Sequence, residues 1–157
     1  MCAFQKIKHP LKLTLGFLST EKNRLITGAI TYIKTGNNFV ATGFWNPSKE
    51  DLFRIRKEME LDGEEFREIV AQPSFKKVWG TLEEEEVKTA PKGFSKEDPN
   101  IDLIRKKAYL FTQKYSDKEV LSPNFMTQVN SDFIAVRPYF DYMSSVLTTD
   151  LNGESLL

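Results

Sequence analysis

From Met126 to Leu147, apolar side chains recur in steps of three and four: Met126, Val129, Phe133, Val136, Phe140, Met143 and Leu147. At 3.6 residues per turn these positions form one stripe, so the segment reads as a long helix with one face on a core. Ser122 and Pro123 offer an N-cap and a first helical residue, which predicts a helix from there to about Leu147. Pro138 has no N–H for the carbonyl of Ile134 and predicts a kink. A Met and aromatic stripe at helical spacing belongs to a core more readily than to a cofactor box. Such a helix needs a broad apolar surface opposite it.

The surface is legible upstream, where the period is two. "LKLTLGFL" sets Leu11, Leu13, Leu15 and Phe17 on one side and Lys12 and Thr14 on the other. "LITGAITYIK" alternates Ile26, Ile30 and Tyr32 against Leu25, Ala29, Thr31 and Ile33, and "NFVATGFW" returns after "TGNN". Gly36-Asn37 can take the positive φ of a tight hairpin. Gly28 and Gly43, inside the runs, predict bulges or close backbone approach. The reading is an antiparallel meander built mainly from Leu11 to Trp45, with "AYLFTQKY", Tyr109 to Tyr115, joining it.

Helices fill the interval. Asn46-Pro47-Ser48 ends the strand, and Ser48 caps a helix with Glu50 and Asp51 in its first turn. Leu52, Ile55 and Met59 share a face, with Phe53 beside them, until Asp62-Gly63 breaks the run. Phe66, Ile69 and Val70 mark a second helix ended by Pro73, and "SFKKVWG" adds a turn that buries Phe75, Val78 and Trp79. Thr81 to Pro99 reads as a long loop with breakers at Pro91, Gly93 and Pro99. Asn100 is placed to cap a short helix carrying Ile101, Leu103 and Ile104. The fold class is therefore α+β: a small antiparallel sheet with helices on one face, the long C-terminal helix among them. A chain of 157 residues with 40% hydrophobic content fits one domain, residues 1–157.

Composition narrows the chemistry. Lys+Arg and Asp+Glu are both 22, so the basic excess that neutralises phosphates is missing and no nucleic-acid partner is expected. No apolar run approaches the roughly 20 residues that span a bilayer, so no membrane partner is expected. The single cysteine, Cys2, suits a reducing compartment, and a cytoplasmic location is expected. One His and one Cys, His9 and Cys2, cannot form a zinc set, so no metal is expected. A Ser-His-Asp arrangement would have to use His9 near the terminus. There is no GxGxxG after a strand and no GxxxxGK[ST], so no cofactor is expected. "APKGF" combines a rigid turn, a cation and an aromatic, and reads as a structural turn with Phe94 packed down.

The most pointed polar stretch is "FQKIKHPLK". In a strand, Lys6, Lys8 and Lys12 project to one side, with Phe4 starting the series. Three ammonium groups on one face repel unless an anion, solvent or an acidic segment screens them. Glu83 to Glu86 is a candidate internal partner; a phosphate or carboxylate ligand is the sharper alternative. Lys6, Lys8 and Lys12, with Arg54 and Arg56, are the candidate anion-binding residues.

"GNNFVATGFWNPSKEDLFRIRKEMELDGEEFREIV", then "FKKVWG", "KTAPKGF", "PNIDLIRKKAYLFTQKYSDKEVLSP" and "RPYFDYM", resemble in order the blocks of a bacterial family known as domain of unknown function 2461. The likeness is strong from about Gly36 to the C-terminus and weaker before it. The family's lysine-containing N-terminal motif is similar to "AFQKIKHPLK", which places Phe4, Lys6, Lys8, Pro10 and Lys12 on it. Ala3 stands where the family commonly has Arg, and Leu11 where it has Tyr. "LITGAITYI" replaces a Gly- and Tyr-rich strand. The resemblance implies upstream helices that this chain lacks, hence a truncated or divergent member. It also implies exposed apolar sheet surface and self-association. It carries no established activity.

Two function classes follow. One is a cytoplasmic binding or structural domain that uses the sheet face or the groove beside the last helix. The other is an enzyme on a small anionic substrate, with the lysines holding the anion and a carboxylate as acid or base. The inventory favours the first, because no recognisable catalytic set is present.

Overall fold

A computed structural model describes residues 11–13, 28–44, 47–83 and 85–149. In chain order the elements are β1 (Leu11–Leu13), β2 (Gly28–Ile33), β3 (Asn38–Phe44), α1 (Lys49–Ala71), α2 (Pro73–Trp79), α3 (Ile101–Ile104), β4 (Tyr109–Tyr115), α4 (Asp117–Val120) and α5 (Phe125–Thr148). The described strands form a four-stranded antiparallel sheet in the order β1-β2-β3-β4. This is the expected α+β fold, and Tyr109 to Tyr115 does join the sheet. Leu15, Phe17, Leu25, Ile26 and Trp45 lie outside the described residues.

The β3–β4 register decides what faces the helices. Val40 pairs with Gln113, Thr42 with Phe111 and Phe44 with Tyr109, so these side chains share one face of the sheet. There Phe111 meets Phe75 of α2 edge-on at 4.8 Å between ring centres and Tyr139 of α5 at 5.2 Å. Phe66 of α1 stands edge-on to Tyr109 and to Tyr139, at 6.2 Å from each. Each such pair adds about 0.5–1.5 kcal/mol to the gain from burial. The helices thus share one aromatic nucleus against β4.

Local signals explain most boundaries. The Ser48 side chain accepts from the N–H of Asp51 at 3.1 Å, as an N-cap does. The expected break at Asp62 is a single residue with φ −146° and ψ 77° inside α1, and its carboxylate accepts from the N–H of Glu65 to restart the helix. Gly63 then lets the chain pass Asn100, because a Cβ there would lie 2.5 Å from that side chain. The β2–β3 turn centres on Thr35-Gly36, one residue earlier than expected. Asn37 N–H donates to the Lys34 carbonyl at 2.7 Å, with Gly36 at φ 76°. Asp117 holds this turn from α4, accepting from Gly36 N–H and Asn38 Nδ2.

Three expectations are corrected. α5 begins at Phe125, and Ser122 serves a preceding turn: its carbonyl accepts from Phe125 N–H and its hydroxyl from Asn124 N–H. The fixed φ of Pro123 therefore serves a turn position and not the first helical one. Met126, put in the apolar seam, is 61% exposed, because the seam starts one turn later at Val129. Asn100 sits at the N-cap of α3 but makes no capping bond with its side chain; its amide oxygen accepts from Arg67. One helix escaped the sequence reading: α4, whose Ser116 and Glu119 form a reciprocal capping box. α5 passes through Pro138 as one continuous element.

Candidate functional site

Two helices build the cleft with the most unusual chemistry. α1 turns Ile55 and Met59 inward, both fully buried, which leaves Glu58 at the side of that stripe. Glu65 comes seven residues later, across the break at Asp62, and also reaches the cleft. Facing them on α5 are Tyr142, Ser145 and Val146, with Pro138 and Asp141 one turn earlier. The cavity between α1 and α5 has a volume of about 350 Å³, within the usual range for small-molecule sites.

Its electrostatics are one-sided. Burial raises the Glu58 carboxyl above its ordinary value, and the nearby charges of Glu65 and Asp62 raise it further. Asp141 is the exception, since Arg137 donates to it at 2.8 Å on the exposed side of α5. Neither Glu58 nor Glu65 has an ion-pair partner among the described residues.

Tyr142 completes the site. The residue is 7% exposed, its ring lies 6.1 Å from that of Phe66, and its hydroxyl is sealed from solvent without a hydrogen-bond partner among the described residues. Burial pushes the phenol pKa up, and Glu58, Glu65 and Asp62 push it the same way. A buried hydroxyl left unpaired costs about 1–3 kcal/mol. Together these residues can receive a polar, positively charged group beside an apolar wall of Ile69, Pro138 and Val146.

The sequence-predicted cationic residues are placed differently. Lys6 and Lys8 lie outside the described residues. Lys12 belongs to β1, where its backbone pairs with Tyr32. Arg54 and Arg56 are two apart on α1, so they face different directions. Arg56 turns towards the connection before β4 and donates from Nη2 to the Lys106 carbonyl at 2.9 Å, and burial lowers its pKa. β1 and β4 are opposite edges of the described sheet, about 14 Å apart at the usual strand spacing.

The acidic segment has other partners. Glu85 pairs with Lys107 and Glu86 with Arg105 and Lys106, while Thr112 donates to the Glu83 carboxylate. Backbone bonds from Glu83 N–H to the Leu110 carbonyl and from Lys107 N–H to the Glu85 carbonyl lay this segment along the free edge of β4. An exposed strand edge is thereby covered. "APKGF" is a packed turn, with Phe94 5.7 Å from Phe53 and the Lys57 ammonium 4.9 Å above the Phe94 ring.

The sheet face away from the helices carries Tyr32 stacked on Phe39 at 5.1 Å and a shallower cavity of about 270 Å³ beside Ala41, Leu110 and Thr112. Ala41 and Leu110 are themselves buried.

The acidic cleft was missed because apolar periodicity marks the core stripes of the two helices and gives no weight to Glu58, Glu65 or Tyr142 beside them. A signal existed: Glu58 directly precedes the buried Met59, and Glu65 directly precedes the buried Phe66. No helix among the described residues is long and apolar enough to cross a membrane. Comparison with curated proteins and with solved structures finds no match to this chain. The family model described as conserved hypothetical protein, DUF2461, matches residues 2–142. That match takes in the N-terminal stretch where the likeness read from the motifs is weaker, and it ends at Tyr142 in the cleft. With most of its length under that model, the chain belongs to the DUF2461 family of conserved hypothetical proteins.

Proposed function

We propose that the protein is a small-molecule-binding domain of the cytoplasm whose ligand sits in the cleft between α1 and α5. The observation that carries this reading is the Tyr142 hydroxyl, buried and unpartnered at a cleft of ligand size. Ser145 lines the same cleft, but among the described lining residues there is no histidine or lysine to activate its hydroxyl, which favours binding over acyl or phosphoryl transfer.

The test is a thermal-shift screen of amines, carboxylates, phosphates and sugars on the wild type and on Ser145→Trp. Ser145 is exposed on α5, so the indole fills the cleft without entering the core. Compounds that stabilise the wild type and lose their effect in the variant support the reading. A panel with no stabilising compound, or one that stabilises both proteins equally, sinks it.

A second reading is an enzyme on a small anionic substrate held by Lys6, Lys8, Lys12, Arg54 and Arg56. One observation favours it: the Nε of Arg56 is buried without a hydrogen-bond partner. Phosphate stabilisation that disappears in Arg56→Gln and persists in Ser145→Trp would move the site there.

A further inference from the structure

We infer that the cleft between α1 and α5 takes an organic ammonium ion, with Glu58 as its charge partner and the Tyr142 hydroxyl as a hydrogen-bond acceptor. This rests on the reading of that cleft as the ligand site.

Charge is the first reason. Glu58 and Glu65 face the cleft without a cationic partner among the described residues, and Asp62 lies close enough to raise the proton affinity of Glu58. Carboxylates crowded together in a partly buried site oppose one another, and a bound cation removes that opposition. An anionic ligand would increase it. Three cations near the cleft are already engaged: Arg56 with the Lys106 carbonyl, Lys57 with Glu60, and Arg137 with Asp141 at the cleft's edge.

The second reason is the hydroxyl. A phenol oxygen accepts as well as donates, and Tyr142 shares the cleft lining with Glu58, Glu65 and Asp141, carboxylates that cannot donate to it when ionised. An ammonium N–H can donate both to this oxygen and to a carboxylate, satisfying two groups at once. Such charge-assisted bonds are about twice as strong as neutral ones.

Shape separates an organic cation from a bare metal ion. No three His, Cys, Asp or Glu side chains among the described residues are grouped closely enough to hold a metal. The volume of about 350 Å³ suits a polyatomic ligand, and Ile69, Pro138 and Val146 offer an alkyl chain an apolar wall. Glu58 and Glu65 reach the cleft from either side of the break at Asp62. A chain with an ammonium at each end can address both.

The probe is 1,5-diaminopentane, titrated by NMR at constant ionic strength, with n-pentanoate, inorganic phosphate and Mg2+ as controls. The diamine is expected to bind, and Glu58→Gln to weaken it about 10- to 100-fold, Tyr142→Phe about fivefold. Without ligand, Glu58→Gln is expected to melt higher than the wild type, because one of the crowded charges is gone. Diamine binding that is indifferent to both substitutions overturns the inference. So does pentanoate, phosphate or Mg2+ binding in the cleft as tightly as the diamine; those controls being blocked by Ser145→Trp would leave the cleft itself standing as the ligand site. Absence of any binder that Ser145→Trp blocks removes the cleft reading as well.

Discussion

Gly43→Ala is expected to cost about 4 kcal/mol or more, enough to leave much of the protein unfolded at 37 °C. Gly43 sits in the middle of the sheet between Gly28 and Leu110, at φ 121°. That angle is strained for any residue with a Cβ. Space makes it worse. The added carbon would lie 2.1 Å from the Tyr109 carbonyl oxygen and 3.1 Å from the Tyr139 hydroxyl. The same carbonyl accepts a hydrogen bond from Tyr139 at 2.6 Å, so the helix and both strands meet at this point. Removing the phenol in Tyr139→Phe should cost only about 1–2 kcal/mol. It should not rescue Gly43→Ala, because the tightest clash is with backbone. Urea melts of the two single variants and the double variant measure this. Gly43→Ala within 1 kcal/mol of the wild type, or restored by Tyr139→Phe, would refute the account.

Alkaline unfolding should be steep and should coincide with phenol ionisation. Tyr109, Tyr115, Tyr139 and Tyr142 are all buried, and burial pushes each phenol above its ordinary value. For Tyr115 the hydrogen bond to the Asp132 carboxylate acts in the same direction. In the unfolded chain a phenol releases its proton near pH 10. Above that pH the folded state holds more protons than the unfolded state, so stability falls as pH rises. Below it these groups change nothing. Each phenol contributes about 1.4 kcal/mol per pH unit between its unfolded and folded values, so the four together approach about 5 kcal/mol per pH unit. Absorbance at 295 nm and far-ultraviolet circular dichroism, followed from pH 9 to 12, should change together. Phenolate absorbance that rises fully while the dichroism stays native would contradict it. Tyr142→Phe should make the pH dependence shallower by about a quarter.

The long C-terminal helix shows how far periodicity carries. Val129, Phe133, Val136, Phe140, Met143 and Leu147 are all buried as the three-and-four spacing requires. The same spacing is silent about Asp132 and Tyr139, which are buried beside them. A carboxylate on a core stripe looks like an error until its partners are known. Here the Tyr115 hydroxyl donates to it, and the Trp79 indole donates to its backbone carbonyl at 2.9 Å. Those donors come from β4 and α2, far away in sequence. The candidate anion-binding set shows a different limit: Arg54 and Arg56 share a charge, but helix phase faces them in different directions, and Lys6 and Lys8 lie outside the described residues.

Periods of two and of 3.6, with the breakers Pro47, Asp62 and Pro73, were enough to determine the α+β class, the central hairpin and most helices, because those signals act within a turn or a strand. The family motifs lie in that same local layer. Only the tertiary structure decided that Gly43 must be glycine, that Glu83, Glu85 and Glu86 guard the edge of β4, and that Glu58, Glu65 and Tyr142 line one cleft. Each of these depends on which elements pack together, and through-space proximity between residues up to 96 positions apart, as Gly43 and Tyr139 are, leaves no trace in local spacing. An acidic cleft is a property of two helix faces brought together, and neither helix carries it alone.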